Sequence, residues 1–154
     1  MEYLIAKWLH ILSSTFLFGT GIGSAFYMLF TSRTRDPRVI AAVVKYVVIA
    51  DWVFTTPTIL FQPASGFYLM HLLGVPFDSR WIVWSIVLYL LAGACWLPVV
   101  WMQIRMRDMA RAAAGAGTAL PDRYWRYLRR WVALGVVAFA ALVVVFYLMV
   151  AKPL

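Results

Sequence analysis

His10 and His71 are the only imidazoles in this chain, and each falls inside an apolar stretch. Ionisable side chains are rare at membrane depth, where they bind metal or haem iron, pass protons or contact a ligand. His10 heads a stripe at helical spacing that continues through Ser13 or Ser14, Leu17, Gly21 and Ser24. Gly19 and Gly23 add a second small surface. Two readings of this stripe compete. Small residues let helices pack closely, and they also leave room for a flat macrocycle lying below its iron ligand. His71 follows Ala64 and Phe67 on its own face. It reads either as an iron ligand or as an interfacial residue bonded to water or a carbonyl.

Asp51 is the one acid placed well inside an apolar run, with Thr55, Thr56, Pro57 and Thr58 after it, so the second helix has a polar, broken middle. Its possible roles are a proton relay, a partner for a cation, or a hydrogen-bond hub, the hub being the simplest. Lys45, six residues earlier, falls on a different face. Met102, Met106 and Met109 recur at helical spacing and read as packing before copper ligation. The single cysteine, Cys95, reads as a small buried apolar residue. No HExxH, P-loop or Ser/His/Asp set is present.

The elements that must position these residues are long apolar helices. Of 154 residues, 64% are hydrophobic, 17% aromatic and only 13% charged. With a mean hydropathy of +0.83, lipid rather than water must solvate most of the chain. Helices are expected over about 3–30, 39–74, 80–111 and 122–151. They form one domain over 1–154. The second stretch would be roughly 54 Å long as one helix, well beyond the ~30 Å hydrocarbon core, so it must tilt, kink or protrude, with Gln62-Pro63-Ala64-Ser65-Gly66 as the obvious kink. Trp131 to Ala151 carries no charge and is one clean span.

Net charge is +8, but the basic residues gather in two loops, which argues topology and anionic lipid rather than nucleic acid. Arg33, Arg35 and Arg38 mark the first loop; Arg105, Arg107, Arg111, Arg123, Arg126, Arg129 and Arg130 mark the third connection. Only Lys7, Arg80 and Lys152 lie opposite. Both basic loops are therefore expected in the cytoplasm and both termini in the periplasm. Helix one runs inward and helix two outward, so both histidines are expected in the outer half.

Tyr3-Leu-Ile-Ala-Lys-Trp-Leu-His-Ile11 with Gly19, and the ending Val150-Ala-Lys-Pro153, resemble the bacterial membrane-bound protoporphyrinogen oxidase family of the HemJ type. Gln62-Pro-Ala-Ser-Gly66, Tyr89 to Val100 and Gln103-Ile-Arg-Met106 look more like a related bacterial family of predicted integral membrane proteins with no assigned function. The second resemblance covers nearly the whole chain, the first about a fifth. The oxidase resemblance implies haem b, with His10 and Lys152 as the positions that matter.

The expectation is thus an all-α membrane protein, a four-helix antiparallel bundle in the bacterial inner membrane. It would bind haem b near its periplasmic face for electron transfer or redox chemistry. His10 would be one axial ligand, with His71 as the second and Lys152 in reserve. Leu17 and Gly21 would lie against the ring, with Trp8, Phe18 and Phe67 as further walls. The alternatives are an accessory subunit of a larger membrane or respiratory complex, and a small proton-coupled carrier using Asp51. Membrane lipids, other subunits or a second copy of the chain are the partners these readings call for.

Overall fold

The computed structural model describes residues 1–152, all helices and short turns. Helix α1 spans Glu2–Arg33, α2 Pro37–Ala50, α3 Thr56–Leu73, α4 Arg80–Ala116 and α5 Asp122–Ala151; a π-helical turn, Asp51–Thr55, joins α2 to α3. Taking α2, the π turn and α3 as one rod, four helices are long and apolar enough to cross a membrane. Glu2 reaches Tyr68 and the Lys152 ammonium lies over the Trp81 ring, so both termini share an end with the turn after α3. The arginine-rich connections form the opposite, basic end.

The helix ends follow local chemistry. Asp36 caps α2 by accepting from the Arg38 amide at 2.8 Å, and Pro37 occupies a first-turn position where its missing N–H costs nothing. Gly74 (φ 61°) closes α3 and Gly117 (φ 65°) closes α4, each left-handed, as helix C-termini favour. α1 continues three residues beyond the expected boundary and α4 five, because nothing in either tail breaks a helix.

The break in the second rod lies at Asp51–Thr55, not at Gln62–Gly66. Proline at 57 has no amide to return to the preceding turn, and the helix shifts register around it. Neighbouring threonines bond to the carbonyls there: Thr56 Oγ1 donates to Asp51 O at 3.0 Å, and Thr58 Oγ1 to Phe54 O at 2.7 Å. Pro63, by contrast, sits inside continuous α-helix.

The dry core gathers toward the basic end. Met28, Ile40, Val44, Met106, Ala110 and Tyr124 are fully buried there, with Met102 beside them. Two members of the methionine stripe, Met102 and Met106, are therefore core residues, and Cys95 is buried as well. Phe18 of α1 stacks on Phe139 of α5, with ring centroids 4.7 Å apart. Outward-facing Leu60, Leu90, Leu97 and Val136 are each more than 60% exposed, a surface that only lipid can cover.

Candidate functional site

The polar groups buried inside this apolar bundle define the candidate site. Asp51, Thr55, Gln62 and Ser65 are each less than a tenth exposed. Spacings of four, seven and three residues keep them on one stripe of the α2–α3 rod. The stripe begins at the π turn and climbs toward the terminal end.

At its lower end Thr55 Oγ1 donates to Asp51 Oδ1 at 2.9 Å. Gln103 of α4, 2% exposed, sits beside the same carboxyl, and its Oε1 has no hydrogen-bond partner. A carboxyl in this setting needs hydrogen bonds, because no water shell stabilises it. Among the described residues the one ion pair joins Arg107 to Asp108, far along α4, so no basic side chain is paired with Asp51.

At its upper end the stripe meets α1. His10 Nδ1 lies 2.7 Å from Ser65 Oγ, and Gln62 Nε2 donates to the His10 carbonyl at 2.8 Å. Ser65 has a single hydroxyl proton, with the Phe61 carbonyl at 2.7 Å and the Gln62 carbonyl at 3.2 Å also within its reach. With that proton on a carbonyl of its own helix, the hydroxyl accepts from the ring, Nδ1 carries the imidazole proton and Nε2 has a free lone pair; with it on Nδ1, the tautomer is reversed. The ring packs close to α3: a Cβ at Gly66 would stand 3.5 Å from His10 Cε1. One turn below, Ser13 is buried with an unpartnered hydroxyl.

His10 is thus brought to Gln62, Ser65 and Gly66, and not to His71. His71 is exposed and lies six residues beyond Ser65, a rise of about 9 Å and roughly 240° round the helix. Lys152 is exposed at the end of α5, its ammonium 5.8 Å from the Trp81 ring centroid; Pro153 lies outside the described residues. Leu17 is half-buried on the inner face of α1. Gly21 is exposed, and a Cβ there, as at Gly19 and Gly23, would meet nothing within 4 Å. The glycines therefore do not serve close helix packing within this chain. Among the described residues no three His, Cys, Asp or Glu side chains gather as a metal centre.

His10, Asp51 and the neighbouring Thr55 stand out in the sequence as polar residues in apolar runs, but their partners on other turns and helices do not. Gln62 and Ser65 were visible as a kink motif only, and Gln103 as part of a resemblance. Their shared stripe with Asp51 was available from spacing alone, once the rod is treated as continuous.

Four long apolar rods, lipid-facing side chains and a polar stripe turned inward define a multi-pass integral membrane protein. The chain belongs to the family described as "Predicted integral membrane protein (DUF2269)", which it matches over residues 4–153. No curated protein and no solved structure matches it.

Proposed function

We propose that this protein handles protons within the membrane, as a small proton-coupled carrier in which Asp51 holds the proton. The polar file through Thr55, Gln62 and Ser65 to His10 would be its route to the terminal end. The single observation that carries this reading is the buried Asp51 carboxyl beside a π turn, a break that recurs at functional sites in helices. Along the α2–α3 rod the buried polar residues Thr55, Gln62 and Ser65 run from it toward the terminal end. Toward the basic end Val44, Met28, Met102 and Met106 close the bundle. Asp51 then exchanges protons with the terminal side in this conformation, and a second conformation must open the other side. The terminal side is the periplasm if the basic loops are cytoplasmic. His10, with Nδ1 bound to Ser65, is the group at the mouth able to accept and return a proton.

The test is proton flux into liposomes holding the purified protein under an imposed pH difference. Asp51→Asn keeps the shape and the Thr55 bond but cannot exchange a proton, and should slow flux about tenfold or more, equivalent to at least ~1.4 kcal/mol in a barrier. Equal flux from wild type and Asp51→Asn would sink the proposal.

A second reading has its own observation. A histidine whose Nδ1–H is held by a fixed acceptor presents Nε2 as metal-binding histidines do. On that reading His10 is an axial ligand of haem b near the periplasmic face, and the role is electron transfer. His71 or Lys152 would have to move to supply the opposite ligand. The visible spectrum of the protein purified from haem-replete cells decides: reduced-state bands lost in His10→Ala support it, and a colourless protein ends it.

A further inference from the structure

The polar file leaves unused the most basic feature of the molecule, a cleft at the other end. It is an open hollow of about 490 Å³ between the α1–α2 turn and the first turns of α5, lined by Arg35, Asp122, Trp125, Arg126 and Arg129. A second hollow of about 320 Å³ shares Arg35 and Trp125 with it and adds Leu29, Ser32, Arg33 and Leu128. The two hollows together are lined by four arginines, Arg33, Arg35, Arg126 and Arg129, and one carboxylate, Asp122. None of the four is ion-paired among the described residues.

The placement of Arg35 is built rather than incidental. Its backbone is left-handed (φ 56°), a conformation that a non-glycine residue rarely adopts. The turn around it is tied: Thr34 Oγ1 donates to the Thr31 carbonyl at 2.8 Å, and Asp36 is fixed as the α2 cap. The result sends the Arg35 guanidinium across to α5, 5.7 Å from the Trp125 ring centroid. Backbone strain of this kind persists where the surrounding structure fixes a side chain in place.

The two hollows differ in chemistry along the membrane normal. Arg35, Arg126 and Arg129 lie beyond the helix ends or in the first turns of α5. Leu128 precedes by three residues the charge-free run that starts at Trp131, and Leu29 lies in the last turns of α1. Cationic forks therefore stand over an apolar floor at the membrane boundary. Guanidinium groups pair with phosphate oxygens in bidentate fashion, and basic pockets between membrane helices bind anionic headgroups.

We propose that this cleft is a specific site for an anionic phospholipid. Arg35, Arg126 and Arg129 take the phosphate, Trp125 covers the glycerol region, and Leu29 and Leu128 receive the start of the acyl chain. The surplus of arginine over carboxylate favours an anionic headgroup over a zwitterionic one. The apolar floor favours a lipid over a free phosphate.

Native mass spectrometry of the protein in mixed micelles of phosphatidylglycerol and phosphatidylcholine tests this. Wild type should retain phosphatidylglycerol at least about tenfold in preference. Replacing Arg35, Arg126 and Arg129 together by Gln should abolish the preference. A control with Arg105, Arg107 and Arg111 replaced by Gln removes the same charge elsewhere on the basic end and should keep it. Arg126→Gln alone, at an exposed side chain, should weaken retention several-fold without threatening the fold. Equal loss in both triple variants, or no preference in wild type, overturns the proposal. In a second arm inorganic phosphate replaces the lipid. Thermal protection of wild type by inorganic phosphate, without preferential lipid retention, assigns the cleft to a soluble anion and likewise overturns it.

Discussion

The Tyr89 hydroxyl donates to the Ile59 carbonyl at 2.7 Å, and Ile59 is four residues before Pro63. Proline at 63 cannot return the amide that would normally bond this carbonyl. A side chain from α4 thus completes the backbone of α3 where lipid offers no water to do so. Removing the hydroxyl leaves a carbonyl unpaired, and Tyr89→Phe should cost about 1–3 kcal/mol. Pro63→Ala restores the missing amide. In that background Tyr89→Phe should cost no more than about 0.5 kcal/mol, a coupling that a double-mutant cycle of unfolding in mixed micelles would measure. Additive effects would show that Tyr89 acts by packing alone.

His10 and Gly66 make the second testable contact. A Cβ at 66 would stand 3.5 Å from His10 Cε1, which is ordinary van der Waals distance. Gly66→Ala should therefore be tolerated, and helped by about 0.5–1 kcal/mol of helix propensity. Gly66→Leu has no such room and should push the ring off Ser65, at a cost of about 1–3 kcal/mol. Nitrogen NMR of the imidazole should report the Nδ1–H tautomer in wild type and in Gly66→Ala, and a tautomer mixture in Gly66→Leu and Ser65→Ala. An Nε2–H tautomer in wild type would remove the assignment of a free Nε2.

How much of this was legible in the sequence depends on what each feature needs. The spans needed only composition: Trp131 to Ala151 has no charge, and a run of that length in water has no solvent. The buried acid was also plain, since Asp51 is isolated among apolar residues. The position of the break was half legible: the polar run from Asp51 to Thr58 marked a broken middle, but Gln62–Gly66 looked the more obvious kink. Pro57 and Pro63 carry the same chemical defect, but threonines lie beside the carbonyls around Pro57 while Tyr89, thirty residues from Ile59 in sequence, repairs the loss at Pro63. Which proline breaks a helix is decided by a partner on another element. The same holds for His10. Helical counting placed it inside the bundle, but the level of His71 relative to it depended on the rod's register, and His71 comes out exposed. The arginines of the first and third connections were readable as topology. That four of them line two hollows sharing Trp125 was not, because it depends on the left-handed backbone of Arg35, which no glycine marks in the sequence.

At the basic end α1 is fastened to α5 by Ser32 and Tyr124, whose hydroxyls lie 2.8 Å apart. Ser32 spends its proton on the Met28 carbonyl at 2.7 Å, so Tyr124 is the donor between them. Tyr124 is fully buried. Tyr124→Phe should cost about 1 kcal/mol, since only one net hydrogen bond is lost and Ser32 keeps its own donor satisfied. Tyr124→Ala should cost about 3–5 kcal/mol, through the cavity left in the core. Thermal unfolding in detergent separates the two, and equal costs would place the whole contribution in the hydroxyl.

The Asp51 carboxyl has two neighbours whose contributions should differ in size. Thr55 donates to it at 2.9 Å, and losing that donor leaves a buried carboxyl oxygen unpaired. Thr55→Val keeps the volume and should cost about 1–3 kcal/mol. Gln103 brings an amide oxygen that has no partner of its own, which offsets what its NH2 group contributes. Gln103→Met replaces that amide with an apolar chain of similar size, and should change stability by less than about 1 kcal/mol in either direction. Introducing Asp51→Asn should then reduce the cost of Thr55→Val, because a neutral amide is less dependent on the hydroxyl than an acid in hydrocarbon. Unfolding of the four variants in one detergent tests the ordering. A Gln103→Met penalty as large as that of Thr55→Val would mean that α4 holds the acid in place, and that the proton file extends across two helices rather than along one.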